Sequence, residues 1–153
     1  MGREKSDEVR LGGTLRFMQL LWELVHAMEA RSRRMVSEMG VTGPQRLVIR
    51  LVGKHGGISA GRLAEAMKIH PSTLTGILSR LVERAFVERH PDPEDARRAV
   101  LTLTESGRVI DGKRAGTVEA AIGRALARMP AQDVVAAERV LASIADELGR
   151  EDV

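Results

Sequence analysis

The chain has 153 residues, a formal net charge of +3 and an isoelectric point of about 9.9, a size that supports one core and makes a single domain the starting expectation. It has no cysteine, which excludes structural disulfides, thiol redox sensing and cysteine-ligated zinc. Aromatic residues are 2% of the chain, one Trp, two Phe and no Tyr, which argues against reading single strands or RNA by base stacking.

The charged start MGREKSDEVRLGG lacks the apolar stretch of a signal peptide, and no apolar run approaches a membrane span. A cytoplasmic location with no membrane partner is expected. One long helix is expected over residues 9–39, where Leu15, Met18, Leu21, Trp22, Val25, Met28, Met35 and Met39 recur roughly every three or four positions. VTGPQ interrupts it. Thr42 and Gln45 have capping-box spacing, with Pro44 in the first turn of a second helix. Leu47, Val48, Leu51 and Val52 form its apolar face, and Gly53, Gly56 and Gly57 are its stop signals.

Ser59 is placed to cap a short third helix with Leu63, Ala64 and Met67 inward. A tight turn over 68–70, which accounts for His70, leads to Pro71 as the first residue of a fourth helix. Its apolar positions 74, 77, 78, 81, 82 and 85 fit a helical period. Its other face holds Ser72, Thr73, Thr75, Gly76 and Ser79, where a solvated helix would carry Glu and Lys. FVERH and AVLTL then read as the strands of a β-hairpin around the charged tip PDPEDARR. Thr104 caps a further helix over 105–129, Pro130 breaks it, and a last helix carries Val134, Ala137, Val140, Leu141, Ile144 and Leu148. The first and last helices have little to pack on within one small domain, which points to a second copy of the chain.

A short helix, a tight turn and a second helix make a helix-turn-helix, and the hairpin that follows is placed like a wing. A helix entering a major groove about 12 Å wide needs small side chains for close approach and hydroxyls for hydrogen bonding. Arg80, one turn beyond Gly76, can reach a guanine edge or a phosphate. Capping and plain solvation explain Ser72, Thr73 and Thr75 equally well, but not Gly76 or Ser79. Residues 42–108 carry eleven Lys/Arg against seven Asp/Glu, so the basic excess of the chain lies there. Arg46, Arg50, Lys54, Arg62 and Lys68 are candidates to flank the nucleic-acid backbone. His26, His55, His70 and His90 have no metal-ligand spacing, and GKHGGISAG lacks the end of a phosphate loop. No catalytic residue, metal or cofactor is assigned.

The run Ser72-Thr73-Leu74-Thr75-Gly76 with Arg80-Leu81, the signature Asp95-x-Arg97 followed by Val100, Leu103, Thr104 and Gly107, and the segment TGPQ resemble the winged-helix regulators of the multiple-antibiotic-resistance regulator (MarR) family. The resemblance implies a mainly α fold with a small β-hairpin wing, a winged helix-turn-helix at 41–104, and helical dimerisation regions at 1–40 and 105–153. It further implies a homodimeric, sequence-specific regulator of double-stranded DNA, acting as a ligand-responsive repressor on a pseudo-palindromic operator. A helix-turn-helix adaptor and a non-specific architectural DNA binder are the alternatives. Under the resemblance Ser72, Thr73, Thr75, Gly76, Ser79 and Arg80 face the major groove. Arg97 enters the minor groove with Arg98 beside it, and Asp95 braces Arg97 through a charged hydrogen bond. Trp22 and His26 would line a pocket for a small aromatic effector, although a half-buried Trp in a helix seam is the simpler account of them. Ala85 stands where the family usually has glycine, and Gly76 where a basic residue is common.

Overall fold

The computed structural model describes residues 12–150, and these form two compact units that divide after Lys113. In the first, α1 spans Gly13–Met39 and α2 spans Gly43–His55, followed by β1 at Ile58–Ser59, α3 at Ala60–Met67 and α4 at Pro71–Glu83. The wing is β2 at Val87–Pro91 and β3 at Ala99–Leu103, and α5 covers Glu105–Gly112. The second unit holds α6, Val118–Leu126, and α7, Ala131–Leu148.

The sequence starts the first helix at residue 9. Gly12 is extended and serves as its N-cap, so α1 begins at Gly13; residues 9–11 lie outside the described part. Two adjacent glycines are poor helix residues, which accounts for a boundary there. Of α1 only Met35 and Met39 are buried, while Leu15, Phe17, Met18, Trp22 and Val25 are exposed. The helix stops at Gly40, whose φ of +75° is left-handed and whose missing Cβ leaves room for the Arg84 guanidinium.

The capping box at α2 forms as the spacing predicts: Gln45 N–H donates to Thr42 Oγ1 at 3.3 Å, and Thr42 N–H donates to Gln45 Oε1 at 2.9 Å. Its buried face differs from the expected one. Gln45, Arg46, Val48, Ile49 and Val52 are inside, while Leu47 is exposed. Gly53 is not a stop signal either. It lies inside α2, where a Cβ would meet Asp111 Oδ2 at 2.8 Å, and the helix ends at left-handed Gly56.

Ser59 caps α3, with Leu63 and Ala64 buried as expected. The two-residue β1 has no counterpart in the sequence reading. It pairs antiparallel with β3, Ile58 opposite Leu101, to give the order β1-β3-β2. Leu101 and Leu103 point into the core, and Val87 pairs with Leu103. Against that sheet pack Leu74, Leu78 and Leu81 of α4, Leu63 of α3, and Val48, Ile49 and Val52 of α2. The core therefore anchors α4 by one side only.

The fourth helix ends at Glu83, short of position 85, and Val82 is exposed. Phe86 N–H donates to the Leu81 carbonyl and Ala85 N–H to that of Val82, both at 2.9 Å, the bond pair of a Schellman stop. Its left-handed residue is Ala85, at φ +53°. A left-handed alanine costs about 1–2 kcal/mol, and glycine returns about half of that after the greater freedom of its unfolded chain. Ala85→Gly is therefore expected to raise the unfolding midpoint by about 1–4 °C, read by differential scanning calorimetry.

Thr104 caps α5 by accepting from Gly107 N–H at 3.0 Å. Gly107 is required there, because a Cβ would run into the Phe86 carbonyl oxygen. The helix does not continue to 129. It closes at Gly112, and a new helix starts after N-cap Thr117, which accepts from Ala120 N–H at 3.2 Å. Gly116 lies between at φ +78°, so the glycines and the threonine cap override the apolar periodicity that suggested one helix. The break before α7 at Pro130 falls where expected. Neither α6 nor α7 has a fully buried side chain, and Ile122, Leu126, Val140 and Leu141 are exposed.

Candidate nucleic-acid interface

The six α4 residues singled out in the sequence are all exposed. Helical geometry puts them on the arc opposite buried Leu74, Leu78 and Leu81. Thr75 Oγ1 donates to the Pro71 carbonyl at 2.9 Å, and Ser79 Oγ to that of Thr75 at 3.0 Å. Each oxygen keeps lone pairs facing solvent. Thr73 and Arg80 have no side-chain hydrogen-bond or ion-pair partner among the described residues. A Cβ built on Gly76 meets nothing within 4 Å. Packing therefore does not demand a glycine there, and its bare surface is open for close approach.

The N-terminus of α4 is capped by the side chain expected only to form the turn before it. His70 is the N-cap, accepting from Ser72 N–H at 3.2 Å, and its Nδ1 lies 2.6 Å from Ser72 Oγ. Histidine is not among the preferred capping residues, so composition carries no strong signal for it; its place before Pro71 is the one clue.

At the wing, Pro91 pairs with Ala99 and the tip spans 92–98. Two Asx-type bonds hold it: Glu94 N–H to Asp92 Oδ1 at 2.9 Å and Arg97 N–H to Asp95 Oδ1 at 3.1 Å. Asp95 also pairs with Arg98, whose Nε lies 3.5 Å from Oδ2. The brace expected between Asp95 and the Arg97 side chain is thus made to the Arg97 backbone, and the carboxylate holds Arg98 instead. The Arg97 guanidinium has no partner among the described residues.

The base of the wing has a tie the sequence did not reveal. Arg84 donates to the Gly40 carbonyl at the end of α1 and lies over the Phe86 ring, 5.0 Å from its centroid. Of the expected flanking cations, two are occupied. Arg46 is 1% exposed and donates to the carbonyls of Ile110, Asp111 and Lys113. Arg50 pairs with Asp111 at 2.6 Å. Lys54, Arg62 and Lys68 are exposed.

Trp22 is 59% exposed, and His26 is exposed one turn later on α1. Two shallow hollows among the described residues have other linings: one has Ala136, Val140 and Ile144 of α7, the other Val52, Thr102, Leu103 and Arg108. Among the described residues no group of three or more His, Asp or Glu could hold a metal, and no helix is long and apolar enough to cross a membrane.

Residues 39–98 match the model of the MarR family, a stretch that contains the whole of this interface. The chain is similar to the organic hydroperoxide resistance transcriptional regulator of Bacillus subtilis, 27% identical over 109 residues that cover 71% of this chain and 73% of the relative. It is similar to the B. subtilis transcriptional repressor MdtR, 25% identical over 139 residues, or 91% and 84% of the two chains. A crystal structure of a mutant MarR from E. coli complexed with operator DNA has the same fold, with a TM-score of 0.67 at 23% identity over 86% of this chain and 94% of that one.

Proposed function

The chain belongs to the MarR family, and from that premise we propose that it is a homodimeric, sequence-specific DNA-binding repressor. The observation that carries the reading is the α4 face: small, hydroxyl-rich, exposed throughout, anchored by leucines behind it and ending in an unpaired arginine. A solvated helix has no need of that composition; a helix lying in a major groove has. Relatives named as transcriptional regulators and repressors support it, and they also support reading the chain as a binding protein rather than an enzyme, at work in the cytoplasm beside its DNA.

In this reading Ser72, Thr73, Thr75, Gly76, Ser79 and Arg80 approach base edges and nearby phosphates. Arg97 enters the flanking minor groove, whose narrow A·T-rich form attracts arginine. Arg98 and Asp95 stiffen the tip. Residues 41–104 form the reading head. The apolar faces of α1 and α7 meet a second copy, so that two heads address a pseudo-palindrome. A small aromatic ligand held near Trp22 and His26, once the second copy covers them, would change operator affinity by favouring one spacing of the heads. With no cysteine in the chain, thiol oxidation is not its signal.

The test is a mobility shift on the promoter of its own gene, followed by selection of bound sites from random DNA. Tight binding that falls steeply with salt is expected. Failure to bind any selected palindrome at low salt would leave the adaptor reading. A small ratio of specific to non-specific affinity would indicate an architectural binder. Arg97→Ala should weaken binding about tenfold or more and lower the slope of log affinity against log salt by about two per dimer, with an unchanged unfolding midpoint. Unaltered affinity and slope would remove Arg97 from the contact.

A further inference from the structure

We infer that His70 is a positioning residue that fixes the hydrogen-bond polarity of Ser72 and so determines what Ser72 reads in the groove; the inference rests on the DNA-binding reading above. Ser72 N–H points at His70 Nδ1 at 3.2 Å, and an N–H can only donate, so Nδ1 offers its lone pair and the ring proton sits on Nε2. Ser72 Oγ lies 2.6 Å from the same nitrogen. With Nδ1 an acceptor, the hydroxyl proton must point at it. Ser72 Oγ is left with lone pairs alone toward solvent, and both residues are exposed.

A free serine hydroxyl donates to guanine O6 or N7 and thymine O4 as readily as it accepts from adenine N6 or cytosine N4. With its proton held by His70, Ser72 selects the second group. It accepts the exocyclic amine of adenine or cytosine and is repelled by the acceptors of guanine and thymine. It also cannot donate to a phosphate. The histidine thereby turns an ambiguous side chain into a reader of one chemical group without touching the base itself.

The experiment uses the full-length protein and sites selected from random DNA. Ser72→Ala should relax preference at one position in each half-site. At that base pair, operators that present an acceptor in place of the amine are then compared, with hypoxanthine–cytosine replacing adenine–thymine or uracil–adenine replacing cytosine–guanine. The wild type should lose about fivefold in affinity per half-site for the exchanged amine, the worth of one ordinary hydrogen bond, and Ser72→Ala should show no such preference. His70→Ala should still bind but lose the penalty, because the freed hydroxyl turns to donate to the acceptor. His70→Asn should keep it, since its Oδ1 takes both donors and still caps the helix. A merely structural cap predicts otherwise: His70→Ala would weaken every sequence alike and retain the full amine penalty, which would overturn the inference. So would a Ser72→Ala variant that relaxes no position. A wild-type protein that selects no motif would instead sink the DNA-binding reading beneath it.

Discussion

Arg46→Met is expected to lower the midpoint of thermal unfolding by about 6–12 °C. Arg46 is 1% exposed and donates to three carbonyls, those of Ile110, Asp111 and Lys113, at the closing end of α5. The last carbonyls of a helix have no intrahelical partner, and the helix dipole makes that end negative. A guanidinium with its fork of donors satisfies several of them at once and meets the dipole with a positive charge. Methionine replaces the stem but supplies no donor. The Ile110 carbonyl then loses its charge-assisted bond in a buried place and keeps the one from Lys113 N–H, at 3.1 Å, and the carbonyls of Asp111 and Lys113 must find water. Bonds to charged groups are worth about 1.5–3 kcal/mol each. With partial rehydration of the outer pair, a net loss of about 3 kcal/mol follows. Calorimetry reads the shift, and Arg46→Lys, which restores one or two donors, should fall between. A midpoint within 2 °C of the wild type would show that water serves those carbonyls as well as the arginine does.

The same residue shows where the sequence stops being legible. In the sequence Arg46 stands among the cations that flank the interface, with nothing to separate it from Arg62 or Lys68. Burial depends on what α2 packs against, and α5 comes into contact with it from more than sixty residues away. That is also why Leu47, expected in the core, is exposed: a helix with apolar residues on two sides does not state which side faces the sheet. Local signals fared better. The Thr42 box, the Ser59 and Thr104 caps, the Pro71 start and the hairpin strands all formed where their own few residues dictate. The helix read over 105–129 failed for the opposite reason. Its apolar spacing continued through Gly112, Gly116 and Thr117, and the stop and cap chemistry of those residues prevailed. On the α4 face, exposure was legible residue by residue, because the leucine stripe settles which side is anchored. The direction of each hydroxyl was not, since it depends on individual hydrogen bonds such as that of Ser72 to His70.

Arg80→Ala should weaken operator binding about a hundredfold or more while moving the unfolding midpoint by less than about 2 °C. One arginine contact to a base or phosphate is worth about 1–3 kcal/mol, and a two-fold dimer makes it twice, so the loss per operator is squared relative to one half-site. The residue stands in the last turn of α4, exposed and without a side-chain partner among the described residues. Removing it costs the helix little beyond a weak dipole interaction. Its reach to the groove follows from helix geometry. Side chains lean toward the N-terminus of their helix, so Arg80 is directed over position 76, one turn back. There a glycine leaves the surface open, with nothing within 4 Å of where a Cβ would stand. Gly76 thus gives up about 1 kcal/mol of helix propensity at the place where the Arg80 side chain has to pass. Two outcomes separate its roles. If Arg80 reads a base, selection from random DNA by Arg80→Ala loses preference at one position per half-site; if it holds a phosphate, affinity falls evenly across sequences and the salt slope drops by about two per dimer. Gly76→Leu completes the argument. It leaves every charge in place yet fills the path of the arginine, so it should reproduce much of the Arg80→Ala loss with no change in salt slope if a base is the target, and with the same lowered slope if a phosphate is.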